Sequence, residues 1–205
     1  MKRAGALLAL AAVWLAIAFD VLYGGPISDL DVWLAERVRA PRRSPLSYAM
    51  LVWTNLHSHL AILAYTAVFV LLLARRRAWH WVVGVGVAVP GALLLNAALK
   101  LVIQRTRPVL ENPVLALETY SFPSGHTAAS LAFYGMLAAY LVFRFPQSRP
   151  IWIAGATAAV LLVSYSRMAL GVHYFGDVIA AALSTSAWLV ICLGGVHAWA
   201  AARPR

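Results

Sequence analysis

The sequence predicts an all-α fold, a polytopic bundle of six transmembrane helices with a further amphipathic helix on the outer membrane interface. Of its 205 residues, 62% are hydrophobic and 12% charged, which is about half the charged share of an average soluble domain. The apolar residues gather in runs close to the ~20 helical residues that cross hydrocarbon. These runs lack the period-2 alternation of barrel strands, so the spans are helices. The composition excludes a disordered chain, a disulfide scaffold and a soluble nucleotide-binding domain.

Charges and turn residues divide the chain into six apolar runs. The runs comprise residues 4–23, 51–74, 78–99, 127–143, 151–170 and 178–199. An even number of spans places both termini on the same side of the membrane. Because no repeat, low-complexity stretch or linker interrupts the chain, we expect one domain over residues 1–205.

The first run has an alternative interpretation as a signal peptide. Lys2 and Arg3 precede it, and Ala16-Ile17-Ala18 resembles a cleavage site. The apolar character continues as far as Tyr23, which favours a retained transmembrane helix. Asp20 within this run is expected to face a contact between helices or the membrane interface rather than a substrate.

The loop after the first run has a pattern of its own. Pro26 and Pro41 bracket apolar residues at helical spacing, with acidic residues early and basic residues late, as the helix dipole prefers. Ser28 is placed to cap such a helix. We interpret the segment as an amphipathic helix on the outer interface, with a solvated surface loop as the alternative.

The net charge of +10 is interpreted as a topology signal. The basic residues form short clusters between apolar runs, which favours membrane orientation over nucleic-acid binding. Of the 17 basic residues, nine fall on the side of the termini and eight on the other side. Four of those eight lie in or beside a candidate anion site described below: Lys100, Arg105, Arg107 and Arg167. Without them the count becomes nine to four, which predicts cytoplasmic termini.

Three polar stretches lie where predicted spans begin or end. They cover residues 100–108, 122–127 and 166–177. The first closes the third helix, the second opens the fourth, and the third joins the fifth to the sixth, so all three lie on one membrane face. Polar groups at membrane depth are costly, and their clustering therefore indicates a functional site.

These stretches carry groups that bind phosphate. Three of their side chains carry a permanent positive charge, and two of the three are planar guanidinium groups suited to phosphate oxygens. The charges are those of Lys100, Arg107 and Arg167. A helix beginning at Pro123 and Ser124 also offers unpaired amide donors at its positive end. The expected donors are the amides of Ser124, Gly125 and His126.

Two histidines beside this site divide into a nucleophile and an acid. Asp177 follows His173 by four residues, one helical turn, so its carboxylate can hold the imidazole tautomer and stabilise the cation. His126, beside the helix start, is placed to protonate a leaving oxygen. In the implied reaction His173 attacks phosphorus and releases an alcohol or phosphate. His126 then acts as the base that hydrolyses the phosphohistidine.

The three stretches match the motifs K-x6-R-P, P-S-G-H and S-R-x5-H-x3-D without a gap. With these motifs and a six-helix layout, the chain resembles the type 2 phosphatidic acid phosphatase family. The resemblance implies a phosphate-binding set of Lys100, Arg107, Ser124, Gly125 and Arg167. It also implies a catalytic set with His126 as acid and base, His173 as nucleophile and Asp177 as the residue that orients it.

Other phosphatase chemistries fit the sequence poorly. A cysteine phosphatase needs an arginine six residues after its cysteine, but the residue at that distance from Cys192 is Ala198. A metallophosphatase needs clustered carboxylates and histidines, whereas the chain has seven acidic residues and a single one in the motifs. We therefore expect a metal-independent enzyme without a cofactor. The family also resembles the vanadium-dependent haloperoxidases around the anion. Those enzymes are soluble, so six apolar spans argue against that function here.

The predicted function is hydrolysis of a lipid phosphate at the outer leaflet of a bacterial-type cytoplasmic membrane. Candidate substrates are phosphatidate, phosphatidylglycerophosphate and undecaprenyl pyrophosphate. Polyprenyl pyrophosphatases of the family often carry Asp at the position of Gly125, which favours a phospholipid here. A lipid phosphotransferase using the same site and a non-catalytic lipid carrier remain open, while no nucleic-acid partner is expected and the oligomeric state is not predicted. Five residues stay unassigned to the site: His57, His59, Arg105, Glu111 and Glu118.

Overall fold

The computed structural model describes residues 2–108, 115 and 117–202. Within these ranges the regular elements are helices and no strand occurs, which confirms the all-α class. The α-helices are α1 (Lys2–Tyr23), α2 (Pro26–Val38), α3 (Pro45–Leu56), α4 (His59–Arg75), α5 (Trp79–Ile103), α6 (Gly125–Arg144), α7 (Arg149–Ala169) and α8 (Phe175–Ala202). A short 3-10 turn, Pro146–Ser148, joins α6 to α7.

The described helices supply the predicted transmembrane spans. Among them α1, α5, α6, α7 and α8 are each long and apolar enough to cross a membrane, α7 together with the 3-10 turn before it. The pair α3 and α4 passes the same test only when the two are taken together, across a bend of 45°. The chain is therefore a multi-pass integral membrane protein with six spans when the bent pair counts as one.

The second span is not the continuous helix over residues 51–74 that the sequence predicts, and that expectation is wrong. Its first half, α3, begins earlier because Ser44 Oγ accepts an amide N–H of the first turn at 3.1 Å. Its second half, α4, is started anew by Ser58 Oγ, which accepts an amide N–H at 3.3 Å. A serine cap satisfies donors that the first turn of a helix leaves unpaired. Two caps in succession therefore break the span at His57.

The helix predicted between Pro26 and Pro41 is present as α2, but its cap differs from the prediction. Gly25 is the N-cap residue, and Ser28 lies inside the first turn. The Asp20 carboxylate at the end of α1 accepts the amide N–H groups of Ile27 at 3.1 Å and Ser28 at 2.8 Å. Asp20 therefore joins two helices, as expected of a polar residue at the end of a span. One face of α2 is exposed, including Leu30, whereas Asp31 is fully buried against the bundle.

Close helix packing in the bundle depends on small residues of α5. The main apolar core lies between α4, α5, α6 and α8. A methyl group added at Gly84 would collide with Val196 of α8, and one added at Gly91 would lie 2.5 Å from the ring of Trp188. The Trp188 indole donates a hydrogen bond to the carbonyl of Ala88 at 3.0 Å. These contacts hold α8 directly against α5.

The three polar stretches meet at one end of the bundle, where α5 and α7 end and α6 and α8 begin. We call this end the site face. Two backbone hydrogen bonds join the stretches there: Ser121 donates its amide to the carbonyl of Arg105 at 2.8 Å, and Ser124 donates its amide to the carbonyl of Asp177 at 3.0 Å. Alternation of the spans therefore brings residues from distant parts of the sequence together, as predicted.

We predict that Gly84→Ala destabilises the bundle by about 1–3 kcal/mol, because the added methyl overpacks the contact with Val196. Thermal unfolding in detergent measures this effect. Gly86→Ala is the matched control, because position 86 lies on the same helix with nothing within 4 Å of an added Cβ. An equal melting temperature for the two variants would show that α5 and α8 do not pack as described.

Candidate active site

His173 and Asp177 form a buried pair at the start of α8. The Nδ1–H of His173 donates to Asp177 Oδ2 at 3.2 Å, and the backbone amide of Tyr174 donates to the same oxygen at 2.9 Å. His173 is 3% exposed and Asp177 is fully buried. Burial lowers the pKa of His173 to about 3, although Asp177 acts to raise it. The imidazole is therefore neutral, and its Nε2 carries the lone pair that a nucleophile needs.

Arg107 reaches the other nitrogen of the same imidazole. Its Nη1 lies 3.3 Å from His173 Nε2 and donates to the carbonyl of Val172 at 2.5 Å. Its Nε and Nη2 donate to the backbone and side-chain oxygens of Thr119 at 2.7 and 2.9 Å. The guanidinium is thus held beside the atom that would attack phosphorus.

Lys100 projects from the last turns of α5 towards the same segment. Its Nζ donates to the carbonyls of Tyr120 at 2.7 Å and Ser121 at 3.1 Å. Its charge interacts with those of Arg107, Arg167 and Asp177. The structure therefore brings Lys100 of the first motif near Arg167 and Asp177 of the third motif.

Arg167 lies near the end of α7, with 2% of its surface exposed. Its Nη1 donates to the hydroxyl of Thr54 on α3 at 2.7 Å. Its Nε is buried and has no hydrogen-bond partner among the described residues. A buried guanidinium with an unsatisfied donor is costly unless an anion binds it. Arg167 thus combines a fixed position with free capacity for a phosphate oxygen.

The start of α6 forms the cradle of the site, with one difference from the sequence prediction. Ser124 is the N-cap residue, and its amide donates to the carbonyl of Asp177 at 3.0 Å, so this amide is not the free donor that we expected. Gly125 and His126 occupy the first turn, where amides have no acceptor within the helix. His126 interacts electrostatically with Arg167 and His173. An anion at the helix start would therefore lie among the cations.

Two side chains that the sequence analysis did not assign close this cradle. An added Cβ at Gly125 would lie 2.8 Å from His59 Nε2 and 3.3 Å from Asn96 Oδ1. The His59 and His126 rings are 5.0 Å apart. The Nδ2 of Asn96 is buried without a hydrogen-bond partner in the described part of the chain. Asn96 precedes Lys100 by one helical turn, and a polar residue at that spacing in an apolar span is the signal that identifies it.

The other unassigned residues divide into four cases. His57 is buried and has both ring nitrogens paired, with Nδ1 bonded to the carbonyl of Trp53 at 2.9 Å and Nε2 to the hydroxyl of Tyr134 at 2.8 Å. These bonds connect α3 to α6. Glu118 is exposed, and Glu111 lies outside the described residues. Arg105, which is not in the catalytic set implied by the resemblance, forms an ion pair with Asp177.

The donor set of the site suits an anion rather than a metal. In the described ranges no group of three or more His, Cys, Asp and Glu residues is arranged to hold a metal ion. The site instead gathers cations whose charges repel one another, since the charge of Arg107 acts on both Lys100 and Arg167. A phosphate would relieve this repulsion. Metal independence itself stays a prediction.

We predict that Arg167→Gln weakens binding of orthovanadate, a phosphate analogue, by about tenfold or more, because charge-assisted hydrogen bonds to the anion are lost. Calorimetric titration of the purified protein in detergent measures the affinity. Arg149→Gln is the matched control, because this exposed arginine lies at the opposite end of α7. Equal affinities for the two variants would remove Arg167 from the anion site.

Known proteins share this fold and these sequence features. The family model described as PAP2 superfamily matches residues 79–200. Phosphatidylglycerophosphatase B of Bacillus subtilis is 38% identical over 90 residues, which cover 42% of this chain and 43% of that protein. An undecaprenyl-diphosphatase of Sulfolobus acidocaldarius is 39% identical over 94 residues, which cover 43% of this chain and 42% of that protein. The matched segments thus span less than half of either relative.

A solved structure extends the likeness to nearly the whole fold. The crystal structure of a transmembrane PAP2-type phosphatidylglycerolphosphate phosphatase from Bacillus subtilis superposes with a TM-score of 0.81 at 24% sequence identity. The superposition covers 92% of this chain and 94% of that one. At this identity the likeness concerns the fold. The family model covers more than half of the chain, and this match, together with the three motifs at one end of a six-span bundle, makes the chain a member of the PAP2 superfamily.

Proposed function

We propose that the protein is an integral-membrane lipid phosphatase that hydrolyses the terminal phosphate of a phospholipid or polyprenyl pyrophosphate through a phosphohistidine intermediate. The observation that carries the proposal is the state of His173. Its Nδ1 is bonded to Asp177, and its Nε2 faces the guanidinium of Arg107. A nucleophile oriented on one side and an anion-binding cation on the other is the arrangement that phosphoryl transfer requires. The relatives named as phosphatidylglycerophosphatase and undecaprenyl-diphosphatase support it.

In the first half of the proposed reaction, His173 Nε2 attacks phosphorus. A nitrogen–phosphorus bond forms as the bond from phosphorus to the lipid oxygen breaks. The lipid oxygen takes a proton from His126 and leaves as an alcohol or, from a pyrophosphate, as a lipid monophosphate. Asp177 stabilises the positive charge that develops on the His173 imidazole.

In the second half, water displaces His173 from phosphorus, and the nitrogen–phosphorus bond breaks. His126, now neutral, removes a proton from the water, which attacks the phosphohistidine and releases inorganic phosphate. His173 returns to its neutral form with its proton on Nδ1, facing Asp177. His126 thus acts as an acid in the first step and as a base in the second.

Stabilisation of the transferring phosphoryl group is the largest contribution expected from the protein. Three cations and the first-turn amides of α6 are fixed around one position before the substrate arrives. The cations are those of Lys100, Arg107 and Arg167. In a site shielded from water such donors stabilise developing charge without reorganisation.

We place the site face at the outer side of a bacterial-type cytoplasmic membrane, with cytoplasmic termini. The described contacts of Arg105, Arg107, Lys100 and Arg167 belong to the site, which supports leaving these residues out of the topology count. The remaining basic residues then favour the side of the termini by nine to four. The lipid tail would reach the site sideways, between helices.

A phospholipid is the favoured substrate class because of the cradle beside Gly125. Polyprenyl pyrophosphatases of the family often carry Asp at this position. Here His59 and Asn96 fill the space that a larger side chain would need. A lipid phosphotransferase would use the same site with an acceptor lipid in place of water, and a carrier would bind the phosphate without turning it over.

Replacing His173 by Ala should lower kcat by about a thousandfold or more while the fold is retained, because the proposed phosphoryl acceptor is lost. Release of phosphate from a lipid phosphate in detergent measures kcat, and thermal unfolding checks the fold. His197→Ala is the matched control, since this exposed histidine lies near the other end of α8. Substantial turnover by a folded His173→Ala variant would contradict the mechanism.

A substrate panel in the presence of EDTA tests the substrate class. We expect full activity in EDTA and a higher kcat/KM for phosphatidate or phosphatidylglycerophosphate than for undecaprenyl pyrophosphate, because the cradle beside Gly125 is closed. Loss of activity in EDTA with recovery on adding a divalent ion would overturn metal independence. Labelled phosphate found on an acceptor lipid would identify a transferase, and binding without turnover a carrier.

A further inference from the structure

Arg105 lies between two buried carboxylates from different parts of the chain. Its Nη1 is 2.9 Å from Asp177 Oδ1, and its Nη2 is 2.8 Å from Asp31 Oδ2. The side chain of Arg105 is 11% exposed, and both carboxylates are fully buried. The guanidinium also stacks on the ring of Tyr174, 4.1 Å from its centroid. Arg105 is therefore held on three sides.

The contact with Arg105 gives the second carboxylate oxygen of Asp177 a hydrogen-bond partner. Its Oδ2 accepts hydrogen bonds from the Nδ1–H of His173 and from the amide N–H of Tyr174. Oδ1 receives Arg105. The carboxylate cannot rotate without breaking one of these bonds, so the position of Arg105 controls the direction from which Asp177 meets His173.

Asp31 attaches this arrangement to the interfacial helix α2. Its Oδ1 accepts the amide N–H of Gly176 at 2.7 Å, one residue before Asp177. An added Cβ at Gly176 would lie 2.7 Å from Asp31 Oδ2, so the carboxylate approaches as closely as a glycine allows. Burial raises the pKa of Asp31, and the Gly176 amide and Arg105 oppose this rise. A buried carboxylate of this kind needs its cation to stay charged.

The contacts of Arg105 differ from those of a phosphate binder. Both of its terminal nitrogens are engaged by carboxylates, and Tyr174 covers one face of the guanidinium. Arg167 instead keeps a buried donor without a partner among the described residues. Arg105 is thus placed to act on the substrate only through Asp177.

We propose that Arg105 is a positioning residue, anchored by Asp31 of the interfacial helix, that fixes Asp177 and through it the nucleophile His173. The proposal rests on the role of His173 given above. In this arrangement α2 forms part of the catalytic assembly. Asp31 is the only fully buried carboxylate among its described residues, and it holds Arg105, which orients the Asp177–His173 pair. The sequence of contacts runs Asp31, Arg105, Asp177, His173.

An electrostatic consequence separates this role from simple packing. The charged and titratable groups that act on His173 come from four elements. They are Asp177 of α8, Arg167 of α7, His126 of α6 and Arg107 of the segment after α5. Arg105 partly neutralises Asp177, so removing its charge strengthens the hold of Asp177 on the protonated imidazole. The pKa of His173 would then rise, and the acid limb of the kcat/KM profile would move to higher pH.

The test compares Arg105→Lys, Arg105→Gln and Asp31→Asn with the wild type. We expect kcat to fall by about 100-fold in Arg105→Gln with KM within about twofold, because the nucleophile is misplaced while phosphate binding is kept. Arg105→Lys should recover part of kcat and keep the wild-type acid limb. Asp31→Asn should lower kcat less, and should add little when combined with Arg105→Gln, because both changes break one sequence of contacts.

Arg42→Gln is the matched control, since Arg42 is an exposed arginine between α2 and α3. Histidine-labelled protein studied by NMR gives a readout that does not need turnover, with His173→Ala identifying the signal. We expect the His173 pKa to rise in Arg105→Gln and to stay unchanged in Arg42→Gln. Should Arg105→Gln fail to fold, the nearly isosteric Asp31→Asn variant tests the loss of kcat at constant KM; because it removes a negative charge, the His173 pKa should not rise in it.

The inference is overturned if folded Arg105→Gln keeps wild-type kcat and His173 pKa, or if its loss lies in KM alone. Failure of the proposed function gives a different result. In that case the wild type does not hydrolyse lipid phosphates or a folded His173→Ala variant does, while the NMR comparison still reports whether Arg105 acts on His173.

Discussion

Asp177 is a carboxylate buried in the first turn of a transmembrane span, and the site depends on the groups that bind it. Its side chain joins His173 to Arg105, and its backbone carbonyl accepts the amide of Ser124 at the start of α6. One residue thus connects His173, the cradle and the segment that follows α5. An ionised carboxylate would be strongly destabilised here without these partners, so the contacts that keep it charged also fix its position beside His173.

The membrane explains why these groups lie where they do. Hydrocarbon excludes unpaired charges from the middle of the bundle, so the polar motifs gather at one end of the spans. The small residues of α5 allow α8 to approach closely, which brings the start of α8 beside the end of α5. The three cations then lie close enough to repel one another, and this repulsion favours an anion as the ligand. The chemistry and the solubility of the fold in lipid thus follow from the same placement of charge.

Local sequence signals predicted most of the fold and the inner part of the site. Hydrophobic runs gave the spans, and the four-residue spacing from His173 to Asp177 predicted a contact within one helical turn. The break of the second span at His57 was not predicted, because one capping serine is a weak sequence signal beside the long apolar run that surrounds it. Asp31 and Arg105 are 74 positions apart along the chain, and no periodicity relates α2 to the segment that follows α5. Contacts of this kind are set by tertiary packing, as is the approach of His59 to Gly125.

The central claim is that the phosphoryl group passes through His173. Rapid alkaline quenching during turnover, followed by mass spectrometry of peptides, detects a phosphohistidine directly, since this linkage survives in base. We expect a phosphoryl group on His173 in the wild type and no phosphorylated peptide in the His173→Ala variant. Phosphate release without any phosphorylated His173, or a phosphoryl group carried by a different residue, would contradict it.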